Sequence, residues 1–184
     1  EKAGFKNAIV VKTQPDDADW DAGDIRYNVL RWTSSPNPPF GGYGPSMANP
    51  RTGEIIAADI MLEFVHFTNR VFYEKLYLDP NANMSLYDDD THSENFEHIC
   101  LAGEHVHENI LYGKTIYPEL SSDDIELGKL EKDNMYRLIM HEVGHTLGLN
   151  HNFKSSHLYS PEELTNPELI KGKSINGSVM EYPA

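Results

Sequence analysis

The stretch HEVGHTLGLNH, at residues 141–151, has the spacing of a metal site at the end of a helix. On an α-helix, His141 and His145 are one turn apart and separated by about 40° around the axis, so both imidazoles can reach one ion. Gly148 can adopt the left-handed conformation that ends a helix, and the chain can then bend back to bring in His151. Three nitrogen donors with an open fourth position are typical of catalytic zinc. The motif therefore predicts a bound Zn²⁺.

Glu142 follows the first of these histidines and gives the site a chemical role. Zinc lowers the pKa of a bound water toward about 7, and a carboxylate beside the ion can accept the proton and pass it to a leaving amine. We expect hydrolysis of an amide by a zinc-bound water, with Glu142 as general base. Because Cys100 is the single cysteine, a thiolate-rich structural site is excluded, and the ligands are expected among His, Asp, Glu and Tyr.

Length and charge restrict the classes of partner. The chain has 184 residues, 39% of them hydrophobic, which suits one domain with its own core. Its formal net charge of −14 disfavours binding to nucleic acid and to anionic membrane surfaces. The sequence contains no apolar run of about 18 residues, so membrane insertion is not expected. Because the chain begins with Glu1 and not with Met, we expect a segment of a longer protein.

The residue pattern places strands before helices. Residues 24–32 are rich in aromatic and branched side chains and predict a strand, and residues 56–64 alternate apolar and polar side chains as a second strand does. Residues 33–50, rich in Pro, Gly and Ser, predict a loop, and residues 64–78 could continue as a helix. N-cap signatures at residues 121–124 and at Asp133 predict helix starts, the second of which precedes an apolar periodic run to Leu147.

Residues 79–120 carry weaker signals. The run Asp88, Asp89 and Asp90 lacks the spaced ligands and the glycine of a calcium loop, and we interpret it as a solvated acidic surface. His105 and His107 could share one face of a strand and bind a second metal, but without a partner pattern the favoured interpretation is surface histidines.

A second motif, SVMEY at residues 178–182, follows the histidine motif and carries a family resemblance. HExxHxxGxxH followed by a Met-containing turn resembles the metzincin clan of zinc endopeptidases. The resemblance implies that His141, His145 and His151 are the zinc ligands, Glu142 the general base, and Met180 the hydrophobic base beneath the metal. The tyrosine two residues after Met is similar to one in astacin and serralysin turns that ligates zinc and swings to stabilise the oxyanion. Tyr182 has that position, and a simple packed aromatic is the alternative.

Three segments narrow the resemblance further. They look like the catalytic segment of a family of large bacterial zinc-dependent metalloproteases, and they read HEVGHTLGLNHNFKSS, GPSMANPRTGEIIAADI and SVMEYPA. This resemblance implies an exported protein with flanking domains, located extracellularly, in the periplasm or at the cell surface, that acts on a peptide or protein substrate. It is the only basis for the predicted location.

The resemblance also implies an α/β (α+β) metzincin-like fold. We expect a twisted, mostly parallel sheet with an antiparallel edge strand, packed helices and an active-site helix at the floor of the cleft. Residues 1–184 form a single catalytic domain, with an upper subdomain at 1–148 and a small lower subdomain at 149–184. Metzincins add a helix after the Met turn, so the lower subdomain is expected to be incomplete. Residues 42–48 are the candidate edge strand for substrate, and a mobile loop is the alternative.

Two other functions fit the same motif. One is a non-catalytic binding module that keeps zinc for stability or recognition, and Glu142 argues against it because a structural site does not use that carboxylate. The other is a zinc amidase or deacetylase that acts on a non-protein polymer, which a comparison of peptide and glycan substrates would separate from a peptidase.

Overall fold

The computed structural model describes residues 4–35, 41–64, 100–103, 105–110, 112 and 124–182, with side chains of the last stretch from residue 129. Strands precede the long helix, as the sequence pattern predicts. The strands are β1 (Leu30–Thr33), β2 (Gly42–Tyr43), β3 (Ser46–Ala48), β4 (Ile55–Ala58) and β5 (Ile60–Glu63). The helices are α1 (Asp124–Thr146), a 3-10 helix (Phe153–Leu158), α2 (Pro161–Leu164) and α3 (Pro167–Ile170), and residues 105–110 are also helical.

The described strands form two small sheets. In the first sheet the order is β1-β5-β2, with β5 parallel to β1 and antiparallel to β2. In the second sheet β3 and β4 pair antiparallel, with a register shift between Met47 and Ala48. The protein therefore has a mixed α/β fold with a mixed sheet. The expected parallel majority is not seen in these strands, which show one parallel and one antiparallel pairing in the first sheet.

The predicted strand at residues 24–32 is shorter in the structure, which starts it at Leu30. The cause is a turn at Asp24, whose carboxylate accepts hydrogen bonds from the backbone N–H and the guanidinium of Arg26. Stacking of Trp20 on Tyr27, with ring centroids 3.9 Å apart, accompanies this turn. Tyr27, one of the aromatic residues that suggested a strand, thus packs within a turn.

The predicted strand at residues 56–64 is divided at Asp59 into β4 and β5. The Asp59 carboxylate accepts the backbone N–H of Val29 at 3.0 Å, while its own N–H bonds to the Pro45 carbonyl at 3.2 Å. Before Asp59 the chain forms β4 and pairs with β3. After Asp59 it forms β5 and pairs with β1 and β2. The segment 33–50, which was predicted to be a loop, contains both β2 and β3. The helix predicted at residues 64–78 lies outside the described residues after Phe64.

The core lies between β5, the segment around residues 100–110 and α1. Its buried residues come from all three, and they are Ile60, Leu62, Cys100, Ala102, Val106, Ile110 and Leu138. Helix α1 begins at Asp124, beside the first of the two N-cap signatures, and not at Asp133. It is thereby long enough to pack on the core and to carry the histidines at its end.

Two predictions for the middle of the chain meet different outcomes. His107 is buried, with 3% of its surface exposed, so the surface interpretation was wrong for this residue. His105 is half-buried, 3.7 Å from the Glu108 carboxylate, and its ring lies 5.2 Å from that of Tyr182. Asp88, Asp89 and Asp90 lie outside the described residues. Among the residues described, none of the helices combines the length and apolar character needed to cross a membrane.

Candidate metal centre

The three histidines of the motif converge at the end of α1. His141 and His145 lie on the last turns of the helix, and Gly148, with a φ of 85°, turns the chain back toward His151. The Nε2 atom of His145 is 3.1 Å from Nε2 of His141 and 3.1 Å from Nε2 of His151. The structure therefore directs one ring nitrogen of each histidine to a common point.

Hydrogen bonds at the opposite ring nitrogens define the chemical state of two rings. Nδ1 of His141 lies 2.7 Å from the Val179 carbonyl, and Nδ1 of His145 lies 2.9 Å from the Leu149 carbonyl. A carbonyl only accepts, so each Nδ1 carries the proton and each Nε2 presents a lone pair. Burial also lowers the pKa of His141 to about 4, which keeps the ring neutral.

Two lone-pair nitrogens at 3.1 Å repel each other unless a positive ion lies between them. Nitrogen donors of neutral imidazole are the ligands that zinc takes, and outer hydrogen bonds to carbonyls are the usual way to orient them. The residues present therefore fit a bound zinc ion.

The Met-containing turn packs directly beneath this end of the helix. Met180 is buried, and its thioether contacts Gly144 so closely that a Cβ at this glycine would collide with the sulfur. The Met180 carbonyl accepts the N–H of Asn152 at 2.9 Å. The turn thus supports the helix and the segment that carries the third histidine.

Glu142 lies on α1, and its carboxylate is buried in the protein. Its side chain is 0% exposed, and neither oxygen meets a donor in hydrogen-bonding geometry among the described residues. Burial raises its pKa to about 7, partly offset by the nearby Cys100 thiol and the Gly44 N–H. Such a carboxyl can take and return a proton near neutral pH.

The backbone of residues 42–44 passes close to this carboxylate. A Cβ at Gly42 would lie 2.8 Å from Oε1 of Glu142, and one at Gly44 would lie 2.7 Å from the Glu142 carbonyl. Glycine at these two positions therefore allows β2 to approach the site.

Tyr182 reaches the centre from the chain after Met180. Its hydroxyl lies 2.9 Å from Nε2 of His151 and accepts the backbone N–H of Leu101 at 3.0 Å. Burial, together with the nearby thiol of Cys100, raises the pKa of the phenol above its usual range. The phenol therefore keeps its proton and can donate it in a hydrogen bond.

Cys100 is a fourth possible donor that the sequence reasoning excluded. Its Sγ atom is 3.2 Å from Nε2 of His141, and the donor atoms of Cys100, His141, His145 and His151 all lie within 4.8 Å of one another. Burial, and then the charge of Glu142, raise the pKa of the thiol to about 12. No spacing rule connects residue 100 with the motif, so only the folded structure reveals this neighbour.

Glu181 is a second residue that the sequence reasoning missed. It is 5% exposed, and its carboxylate accepts hydrogen bonds from the Ser155 hydroxyl, the Ser156 N–H and the Tyr182 N–H. Its backbone carbonyl accepts from the Arg137 guanidinium on α1 at 3.2 Å. A charged residue beside Met180 was the available signal, although its partners follow only from the fold.

Comparison with known proteins agrees with this geometry. A family model described as Met-zincin matches residues 126–184, which include the three histidines, Glu142, Met180 and Tyr182. Neither the curated proteins nor the solved structures contain a significant match to the chain. The metal implied by this family is zinc, in agreement with the donor set of the cluster. Residues 126–184 therefore match a metzincin-type zinc peptidase segment.

Proposed function

We propose that this protein is a zinc-dependent endopeptidase that hydrolyses peptide bonds with water. The observation that carries the proposal is the buried carboxylate of Glu142, which lies next to ring nitrogens that point lone pairs at a common centre. Within the part of the chain that the structure describes, neither of its oxygens meets a hydrogen-bond donor in good geometry. A buried charge without a partner is costly, and folds retain such groups at sites where they act on a substrate.

His141, His145 and His151 hold the ion in this proposal. When bound, zinc supplies a Lewis acid that polarises a carbonyl and lowers the pKa of a water molecule. Gly148 supports the ligands by turning the chain after α1, and Met180 supports them by packing against Gly144. The carbonyls of Val179 and Leu149 orient the rings.

Glu142 is the general base. Its carboxylate accepts a proton from the attacking water and delivers it to the nitrogen of the leaving amine, so the proton returns to the product. The pKa of about 7 in the metal-free site reflects burial, which makes the carboxylate a stronger base than an exposed one.

Tyr182 stabilises the developing oxyanion. Its hydroxyl is protonated, lies beside Nε2 of His151, and can donate to an oxygen that gains negative charge at the centre. The hydroxyl accepts the Leu101 N–H and donates to the Cys100 sulfur at 3.6 Å, so it must turn from the sulfur to donate its proton to a substrate.

The substrate in this proposal is an extended peptide or protein segment. Strand β2 pairs with β5 on one side and, among the described strands, has no partner on the other. Its residues 42–43 and the following Gly44 lie against Glu142, so a peptide that added to this edge would pass the base. In the metzincin-like architecture that we propose, residues 1–148 form the upper side of this cleft and residues 149–184 the lower side.

A non-catalytic zinc module is the second candidate, and Cys100 favours it. Four protein donors are typical of structural zinc, and the thiol completes such a set here. A structural site would not, however, account for the buried carboxylate of Glu142, whose oxygens have no partner in hydrogen-bonding geometry among the described residues and whose burial costs stability.

The variant Glu142→Gln tests the proposal. We expect it to retain one zinc per chain, because the ligands are unchanged, and to lose cleavage of an unfolded protein substrate by about 10²- to 10⁴-fold. Zinc content is measured by mass spectrometry and cleavage by product formation. The control Glu162→Gln makes the same chemical change at an exposed residue of α2 and should cleave at the rate of the original protein.

Two outcomes contradict the proposal. If the zinc-loaded protein cleaves no peptide in a broad library, the binding module replaces the peptidase. If it hydrolyses amides of an acetylated glycan polymer and leaves peptides intact, the amidase or deacetylase replaces it.

A further inference from the structure

We propose that Glu63 is a positioning residue that fixes strand β2 against Glu142 and thereby aligns an extended peptide with this base. The inference rests on the proposed peptidase function and adds the residue that holds its substrate-binding edge. Glu63 lies at the end of β5, and only 1% of its surface is exposed. It is a buried acid outside the metal centre, to which the proposed reaction gives no chemical role.

The carboxylate of Glu63 holds the chain where it leaves β1. Its Oε1 atom accepts hydrogen bonds from the hydroxyls of Thr33 and Ser35, each at 2.7 Å, and its Oε2 atom accepts the Ser35 N–H at 3.0 Å. All three donors are neutral groups, and burial of a carboxylate among neutral donors is costly. Buried acids of this kind can serve to specify one geometry more than to add stability.

The main chain of Glu63 holds the segment that enters β2. Its N–H donates to the Gly41 carbonyl at 3.0 Å, and the next residue, Gly42, pairs with Leu62 in the antiparallel ladder. Ser35 follows β1 and Gly41 precedes β2, so one residue binds the chain on both sides of this connection. The position of Glu63 therefore determines where β2 begins.

Close packing makes the position of β2 critical. A Cβ at Gly103 would collide with the Cα of Gly41, so the backbones of these two glycines pack against each other. A Cβ at Gly42 would lie 2.8 Å from Oε1 of Glu142 and 3.1 Å from Cδ1 of Leu138. Strand β2 thus runs through a narrow space between β5, the backbone at Gly103 and α1. A small displacement of its start would change the distance between the edge strand and the base.

This position matters for a peptide that adds to the free edge of β2. The strand has only two residues, Gly42 and Tyr43, so its pairing with β5 provides few hydrogen bonds. If the Glu63 contacts were lost, the strand would have to be ordered when the peptide binds, and this ordering weakens binding. The base would stay in place, because Glu142 belongs to α1. Loss of the Glu63 side chain should therefore raise KM and leave kcat nearly unchanged.

Peptide cleavage by the zinc-loaded protein tests the inference. We expect Glu63→Ala, which removes both oxygens, to raise KM about tenfold and to change kcat by less than about twofold. Glu63→Gln keeps an oxygen for the two hydroxyls and loses the acceptor of the Ser35 N–H, so its KM should rise by only about threefold. Glu63→Gln also decides the question if Glu63→Ala does not fold. The matched control Ile60→Val removes one buried carbon atom from the same strand and should leave KM unchanged.

Hydrogen exchange reports on β2 without any substrate. In Glu63→Ala the backbone amides of residues 42–44 should exchange at least about tenfold faster than in the original chain, because the strand opens locally. Glu63→Gln should show a smaller increase, and Ile60→Val should keep the rates of the original chain.

The outcomes separate this inference from the proposed function. Equal KM values for the Glu63 variants, Ile60→Val and the original chain would overturn the inference, as would a loss of kcat in Glu63→Ala without a rise in KM. If the proposed function is wrong, the zinc-loaded original chain cleaves no peptide at all. Hydrogen exchange then still decides whether Glu63 fixes β2, and equal rates at residues 42–44 in all four proteins would show that it does not.

Discussion

Among single residues, His141 and Glu142 are neighbours whose pKa values burial shifts in opposite directions. Without metal, the pKa of His141 falls from 6.5 to about 4, and that of Glu142 rises from 4.5 to about 7. Both shifts have the same largest cause, because burial disfavours the charged form of either group. Their effects on the pH dependence of stability are opposed.

The sign follows from the protons bound in each state. Between pH 4 and 6.5 the unfolded chain binds more protons at His141 than the folded one, so this residue makes stability rise with pH. Between pH 4.5 and 7 the folded chain retains the proton of Glu142, so this residue makes stability fall as pH rises. Burial also lowers the pKa of His151, which acts in the same sense as His141.

Glu142→Gln should therefore expose the histidine contribution in the metal-free protein. Between pH 4.5 and 7 we expect the unfolding free energy of the variant to rise relative to that of the original chain by about 3 kcal/mol, since the glutamate no longer opposes the histidines. Urea denaturation in the presence of a chelator measures this difference. Glu162→Gln, at an exposed position, should follow the original chain, and parallel curves for all three proteins would contradict the assignment.

The residues that the sequence could predict are those linked by helical spacing. His141 and His145 lie one turn apart on one helix and Glu142 is adjacent to His141, so their proximity follows from residues per turn alone. Cys100 lies 41 positions before His141, and its approach depends on how the core packs. Gly42 and Gly44 lie in the segment predicted to be a loop or an edge strand. The close approach of Glu142, which leaves no space for a Cβ at either position, depends on the same packing.

Among the elements, the turn at residues 178–182 is held by hydrogen bonds of Glu181 as well as by the packing of Met180. The Glu181 carboxylate joins this turn to Ser155 and Ser156 on the 3-10 helix, while its carbonyl meets Arg137 on α1. The Met turn, the 3-10 helix and α1 are thus connected through the buried Glu181. Because the 3-10 helix begins two residues after His151, we expect Glu181 to help to position this ligand.

Element boundaries were predicted less well than element types, for a related reason. Residues 56–64 have one alternating pattern, and the break at Asp59 results from its side chain bonding to Val29 on a neighbouring segment. The alternation of apolar and polar residues indicates which side chains are buried, but it does not indicate where a strand changes its pairing partner. The capping box at the start of α2, by contrast, joins Ser160 and Glu163, and residues three apart interact through local sequence alone.

Glu181→Ala should weaken the contacts that connect these elements. Loss of the carboxylate leaves the Ser156 and Tyr182 N–H groups without their acceptor, so we expect a loss of about 2 to 3 kcal/mol in unfolding free energy. Zinc affinity should fall by about tenfold or more, because supporting residues orient metal ligands. Urea denaturation and competition with a chelator measure the two effects.

Glu163→Ala is the matched control for this variant. It removes a glutamate that accepts the Ser160 N–H in the capping box of α2, at an exposed position. We expect a loss of no more than about 1 kcal/mol and unchanged zinc affinity. If Glu181→Ala weakens zinc binding no more than this control does, Glu181 is only part of the scaffold.

For the whole molecule, the metal centre connects parts of the chain that are distant in sequence. Its donors come from the core segment at Cys100, from α1 and from His151 after the helix, and the Val179 carbonyl links it to the Met turn. Few apolar side chains bury the last part of the chain, since the 3-10 helix, α2 and α3 contain no buried residues. Zinc should therefore supply much of the stability that holds residues 149–182 on the rest of the protein.

Zinc removal should show this dependence. At a free zinc concentration 1,000 times the dissociation constant, binding to the folded state adds about 4 kcal/mol to the unfolding free energy. We expect chelation to remove this increment and to speed hydrogen exchange at the Asn152 and Ser156 amides, which bond to Met180 and Glu181. His151→Ala should lose most of the zinc-dependent increment, whereas His157→Ala, at an exposed histidine of the 3-10 helix, should retain it. Equal exchange at these amides with and without zinc would show that the segment is held by packing alone.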